Sequence, residues 1–172
     1  DLHSFPTRRS SDLVVGIEEI EAKNPTGIIL GGGPSIEGAG NSEKYIMHFD
    51  IPILGICLGH QLIAKTYGGE VSTSETESYA QVKININNDE NLFKSLAPKM
   101  TVWSSHKDEV KTMPKEFTIL SSSNLCDVES FKHKDKDVYG IQFHPEVHHT
   151  PKGSVIFENF YNICKERCNN DW

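Results

Sequence analysis

The hydrophobic positions of this chain change rhythm partway along. Early on they form short unbroken runs bounded by turn residues, Gly27–Leu30 (GIIL) and Ile51–Ile56 (IPILGI). Such runs predict strands buried on both faces, as in a parallel sheet. Ser42–Phe49, between them, predicts the crossover helix. A helical pattern opens at Cys57, continues through Leu62–Tyr67 and stops at Gly68-Gly69. Beyond it the texture alternates. AQVKININ and FTILSSS read as half-buried strands with Asn, Asp and Pro between them, and DVYGIQFHP reads as one more strand closed by its proline. GSVIFENFYNICKE predicts an amphipathic terminal helix. Parallel-type units followed by alternating strands imply an α/β sandwich with a mixed sheet. There are no internal repeats and no low-complexity tracts.

Composition narrows the classes. The chain has 172 residues, 37% hydrophobic and 24% charged, which suits one soluble domain with a substantial core. Its net charge is -7, and no Lys/Arg run is interleaved with aromatics, which argues against a nucleic-acid partner. No apolar stretch is long enough to span a bilayer, and no secretory signal is evident. The four cysteines, Cys57, Cys126, Cys164 and Cys168, form no C-x-x-C pair, which favours a reduced, cytoplasmic protein. Cys164 and Cys168 fall four apart on one face of the terminal helix and read as small apolar fillers.

The chemistry concentrates in PILGICLGHQLIA, residues 52–64. Gly55-Ile56-Cys57-Leu58-Gly59 is a nucleophile elbow with cysteine in place of serine. A strand turning sharply into a helix presents its corner side chain at the end of the sheet, and its neighbours must be small for the backbones to pass. The corner also lies at a helix N-terminus, where the dipole and free amides favour a thiolate, the attacking form. A buried structural cysteine is the alternative that the elbow alone leaves open.

A nucleophilic cysteine needs a base, and the base an orienting group. In QFHPEV, His144 and Glu146 flank Pro145. In an extended segment, residues two apart face the same side, so Glu146 can reach one imidazole nitrogen while the other faces Cys57. Pro145 would end the strand and place both groups at a sheet edge. A metal site is the competing reading, because His148 and His149 follow closely, but no further ligands appear at metal-type spacing. The strand GIIL runs into Gly31-Gly32-Gly33-Pro34, a loop able to bring a bare N–H against an oxyanion. A phosphate loop is the other reading. It lacks the following Lys-Ser/Thr, and the GxGxxG spacing is absent.

In this order, the glycine loop, cysteine elbow and His-x-Glu resemble the class I, triad-type glutamine amidotransferases, over Val14 to Lys165. The resemblance implies a flavodoxin-like sandwich with a mixed sheet, and hydrolysis of the glutamine side-chain amide with ammonia passed to a synthetase. It implies Cys57 as nucleophile, His144 as base and Glu146 as orienting acid. The oxyanion amides would be those of Gly33 and Leu58. Glutamine would be bound by Gln61 and by a loop of Ser105, His106, Lys107 and Asp108. Gly31 departs from the serine common at that position, which loosens the loop but leaves its backbone donors. SYAQVKI, SSHKDEV and HPEVHHT further resemble the amidotransferase part of GMP synthase. That implies the separate glutaminase subunit of a two-subunit, archaeal-type enzyme. No metal or cofactor would sit in this chain. ATP and Mg2+ would belong to an ATP-pyrophosphatase partner in a heterodimer that aminates XMP, with Lys107, Asp108 and Glu109 facing it. Service to another synthetase, or free-standing γ-glutamyl hydrolysis, is the nearer alternative. A non-enzymatic regulatory subunit is the more distant one, and the complete Cys-His-Glu set argues against it.

The first thirteen residues stand apart, without periodicity and basic in an acidic protein. His3–Leu13 (HSFPTRRSSDL) resembles a translated sequencing-adapter string over eleven consecutive residues. Residues 1–13 are therefore expected to be non-native, leaving an amidotransferase domain over 14–172 without the family's N-terminal strand–helix–strand. Residues 1–13 are expected to take no register in the sheet, and the chain as written is expected to be insoluble or inactive.

Overall fold

The computed structural model describes residues 15–33 and 35–170. The expectations for residues 1–13 and for a missing strand–helix–strand lie outside these residues. The described elements are α1 (Ile17–Glu21), β1 (Ile28–Leu30), α2 (Ser42–His48), β2 (Ile53–Ile56), α3 (Leu58–Thr66), β3 (Glu70–Ile86), β4 (Lys99–Thr112), β5 (Phe117–Ser122), β6 (Ser130–His133), β7 (Val138–Ile141) and α4 (Gly153–Asn170). The strands form one seven-stranded sheet in the order β1-β2-β7-β6-β5-β3-β4.

The mixed sheet follows from the two textures. The apolar strands β1, β2 and β7 pair in parallel, with Leu30 opposite Gly55 and Gly55 opposite Gly140. The remaining pairings are antiparallel. Alternate strand residues feed two cores. Leu54, Ile56, Tyr139 and Ile141 share one with Ile156, Phe160 and Cys164 of α4. Ile53 and Val138 share the other with Tyr45 and Ile46 of α2 and with Leu62, Ile63 and Ala64 of α3. All four residues of β2 are buried, as a strand covered on both faces requires. On α4 the buried residues Gly153, Ile156, Phe160 and Cys164 make the single stripe of an amphipathic helix. The chain leaves α3 through Gly68, whose φ of +91° suits glycine.

Two expectations need correction. Ser105 to Asp108 are not a loop; they lie within β4, which pairs with β3 along most of its length. The charged pattern Lys107-Asp108-Glu109 looks like a loop, but β4 is an edge strand on which Lys107 is exposed, where a charge blocks further pairing, while Glu109 turns inward and is buried. The strand holding QFHPEV also ends earlier than Pro145 implies. β7 stops at Ile141, and the segment after it bends away to meet β4 through an isolated Trp103–His144 bridge. β6 leaves no mark in the sequence, since its SFKH is too short and too polar to alternate visibly.

Candidate active site

The elbow forms where β2 meets α3. Cys57 sits at φ 54°, ψ -102°, a left-handed conformation that costs a non-glycine residue roughly 1–3 kcal/mol. Its neighbours explain why the turn closes. A Cβ on Gly59 would strike the Leu30 carbonyl oxygen of β1, and one on Gly55 would strike the Gly59 backbone. Strand, turn and helix therefore approach as closely as bare backbones allow. The first turn of α3 carries no acidic side chain, so nothing in the helix opposes the positive end of its dipole at Cys57.

His144 and Glu146 come together at this corner. Glu146 Oε1 lies 2.6 Å from His144 Nδ1, and the His144 side chain also hydrogen-bonds Cys57. The hydrogen bonds to Cys57 and Glu146 push His144 up to about 10, against the opposing effect of burial. The spacing does not act through extended alternation, however, because Pro145 and Glu146 occupy a turn. What fixes His144 is its backbone. Its N–H donates to the Trp103 carbonyl at 3.0 Å, the Trp103 N–H donates to Thr150 Oγ1 at 2.8 Å, and Thr150 Oγ1 donates to the His144 carbonyl at 2.6 Å. A threonine hydroxyl thus replaces the second hydrogen bond of an antiparallel pair. Trp103 lies outside the motifs, and Thr150, although it closes HPEVHHT, carries no sign of this role in the sequence.

The glycine loop lies against the same corner. A Cβ on Gly32 would meet His144 Cε1 at 3.6 Å, and one on Gly33 would meet Leu58 Cδ2 at 2.7 Å. The residues carrying the two candidate oxyanion amides, Gly33 and Leu58, are therefore neighbours.

β4 closes the other side. The Ser105 carbonyl oxygen is 3.8 Å from Cys57 Sγ. Gln61 is buried, and its Nε2 donates to the Asp108 carbonyl at 2.8 Å and to Gln142 Oε1 at 3.2 Å. Gln142, fully buried and given no role by the motifs, donates from Nε2 to Cys57 Sγ at 3.6 Å. It precedes the His-Pro-Glu stretch, and its polarity at a buried strand end is the only signal that marks it. The other side chains of the expected glutamine-contacting stretch point elsewhere. Asp108 Oδ1 accepts from Thr73 at 3.0 Å. Lys107 is exposed and pairs with Glu77 at 3.2 Å. His106 is buried, with Nδ1 at 3.0 Å from the Asp108 carbonyl, and burial pushes its pKa down.

The histidines near the corner diverge. His149 packs on Trp103 with ring centroids 4.8 Å apart, and His148 meets His149 edge-on. Among the described residues no group of three or more His, Cys, Asp or Glu is placed to hold a metal ion. A cysteine at a helix N-terminus, an imidazole bonded to it, a carboxylate behind the imidazole and two amide-bearing residues alongside are the parts for acyl transfer through a thioester.

The model of the family "Glutamine amidotransferase class-I" matches residues 7–164, starting inside the adapter-like segment. A glutamine-hydrolyzing GMP synthase subunit of Methanobrevibacter smithii is 82% identical over 157 residues, which are 91% of this chain and 83% of the relative. Its namesake from Methanothermobacter thermautotrophicus is 60% identical over 149 residues, 87% of this chain and 80% of the relative. The crystal structure of a putative GMP synthase subunit from Thermoplasma acidophilum superposes with a TM-score of 0.85 at 37% identity, covering 90% of this chain and 80% of that one. A glutamine amidotransferase from Thermotoga maritima, at 21% identity, 87% and 66% coverage and a TM-score of 0.66, shares the fold.

Proposed function

The chain belongs to the class-I glutamine amidotransferases, as a glutaminase subunit of the GMP synthase type, and from that premise we propose how its residues divide the work. The observation that carries the assignment is the Cys57–His144–Glu146 chain of hydrogen bonds at the N-terminus of α3.

The Cys57 thiolate attacks Cδ of glutamine, and the carbonyl π electrons move to oxygen. The amides of Gly33 and Leu58 hold that oxyanion, and Gln61, Ser105 and Asp108 shape the glutamine subsite. As the oxyanion collapses, the C–N bond breaks and the His144 imidazolium protonates the departing nitrogen, giving ammonia and a γ-glutamyl thioester. His144, now neutral, takes a proton from water. The resulting hydroxide attacks the thioester, the C–S bond breaks, and glutamate leaves with Cys57 again a thiolate. Glu146 keeps Nδ1–H pointed away from sulfur throughout, so that Nε2 faces the reacting atoms. Two amide donors at a water-excluded oxyanion are each worth roughly 3–4 kcal/mol of barrier in comparable sites.

Ammonia passes to an ATP-pyrophosphatase subunit that aminates XMP, and ATP and Mg2+ bind on that partner. The exposed Lys107, beside Asp108 on the edge strand, belongs to the docking face. All four cysteines are free, which suits a reducing cytoplasm. Among the described residues no helix is long and apolar enough to cross a membrane.

The deciding experiment measures glutamine-dependent ammonia release with and without the ATP-pyrophosphatase subunit. Cys57→Ala is expected to abolish release, and a glutamine-analogue electrophile to label Cys57 while sparing Cys126, Cys164 and Cys168. Activity that survives Cys57→Ala, or labelling elsewhere, rejects the mechanism.

A further inference from the structure

We infer that Gln142 is a catalytic residue of this site: its Nε2–H holds the Cys57 sulfur in the ionised, attacking form, and Gln61 sets the direction in which that N–H points. The inference rests on Cys57 as the nucleophile.

A primary amide has one donor end and one acceptor end, and which end faces the sulfur matters. Gln61 Nε2 lies 3.2 Å from Gln142 Oε1 and 2.8 Å from the Asp108 carbonyl oxygen. A backbone carbonyl can only accept, so the end of Gln61 facing Asp108 is its donor. That same NH2 then donates to Gln142, which makes the near atom of Gln142 its oxygen. The far atom, 3.6 Å from Cys57 Sγ, is therefore the nitrogen, a donor. The polarity of the whole relay is fixed from the β4 backbone outward. Gln142 is fully buried, so its side-chain amide has no water to turn to, and its backbone N–H, donating to the Glu129 carbonyl at 2.7 Å, holds the strand end that carries it.

The neighbours of the sulfur oppose one another. The Ser105 carbonyl oxygen at 3.8 Å accepts from a thiol and repels a thiolate. The Gln142 N–H does the reverse, and from a buried position where a donor to a charged group is worth more than one between neutral groups. With the His144 side chain also bonded to the sulfur, the thiolate has a donor on each of two sides. Gln142 is independent of proton transfer, because an amide does not titrate. It favours the ionised sulfur before attack on glutamine and again as the C–S bond of the thioester breaks, whatever the protonation state of His144.

The test alkylates Cys57 of the full chain with iodoacetamide across pH, without glutamine. The sulfur–carbon bond forms only from the thiolate as iodide leaves, so the profile reads ionisation. Gln142→Met keeps the volume and loses the donor; it is expected to move the profile to higher pH by about one unit and slow alkylation at neutral pH about tenfold. Glutaminase kcat falls with it, while KM moves less. Gln61→Met keeps Gln142 but frees its amide to rotate, and is expected to move the profile the same way by less. Thermal unfolding checks that each variant is folded. A wild-type profile in folded Gln142→Met overturns the assignment. Should that variant not fold, Gln61→Met decides, and a wild-type profile there overturns it. Alkylation needs no glutamine, whereas the nucleophile itself is tested by Cys57→Ala activity, so the two readings fail separately.

Discussion

The two halves of the sheet bury different chemistry. β1, β2 and β7 contain no buried polar residue, and their cores are Ile, Leu, Val and Tyr. β3 to β6 bury Ser78, Ser104, His106, Glu109, Ser121, Ser130 and His133. The active corner lies on the boundary. The apolar half positions the sulfur through steric contact alone, with Gly55, Gly59 and the β1 backbone forcing the turn. The polar half supplies the Ser105 carbonyl beside the sulfur, the Asp108 carbonyl that orients Gln61, and the Trp103 contact that seats His144. Position comes from shape on one side, and the hydrogen bonds that orient Gln61, Gln142 and His144 toward the sulfur from the other.

The largest expected effects test that division at the reacting groups. His144→Ala is expected to lower glutaminase kcat about a thousandfold and Glu146→Gln only about tenfold, since the first transfers protons and the second orients it. Steady-state rates in the same buffer check the ranking, and equal losses would place Glu146 in proton transfer.

Next comes the steric half. Gly59→Ala adds a Cβ against the Leu30 carbonyl, and a clash with backbone has no side chain to yield. It is expected to destabilise the fold by about 3 kcal/mol or more, read from the denaturation midpoint. Tolerance of alanine there would mean that the elbow is not held by close approach.

The polar half is expected to show itself in pH. Burial pushes the Glu129 carboxyl up to about 7 from an ordinary 4.5, helped by nearby Glu109 and against its hydrogen bond from Ser123. A raised folded-state value favours the neutral acid, so the stabilisation is complete below pH 4.5 and is lost as pH rises through about 7. Glu129→Gln, neutral at every pH, is expected to gain on wild type by on the order of 3 kcal/mol between those limits. His60, stacked on Phe131, runs the other way. Burial first, then His106, push it down to about 3, so its stabilisation is lost as pH falls from 6.5 toward that value. Unfolding followed from acid to neutral pH separates the two slopes.

The smallest effect belongs to the edge. Lys107→Glu breaks an exposed pair with Glu77 and is expected to change stability by less than about 1 kcal/mol. Its consequence is weaker stimulation by the synthetase subunit. A changed glutamine KM with unchanged stimulation would move Lys107 from the partner face to the substrate side.

The same contrast explains what could be read in advance. The unbroken runs of β1 and β2, the helix at Cys57 and the stripe on α4 are legible because apolar burial leaves a period. β4 and β6 are not, because Ser104, His106, Glu109, Ser130 and His133 are buried among their apolar residues, and buried polar positions interrupt the alternation that would mark a strand. At the site, Cys57, Gly33 and Leu58 announce themselves locally, since a strained turn needs glycine within two residues of the corner.

The sequence by itself determined the elbow, the glycine loop and the His-x-Glu pair, because each depends on neighbours within a few positions and on backbone sterics that any chain obeys. Only the tertiary structure decided that Gln142 reaches the sulfur across 85 residues, that Gln61 aims it, and that Thr150 completes the bridge seating His144. These contacts join separate parts of the fold, and a hydrogen bond leaves no periodic mark in a sequence. Its donor and acceptor are chosen by where the chain folds back, not by what stands beside them.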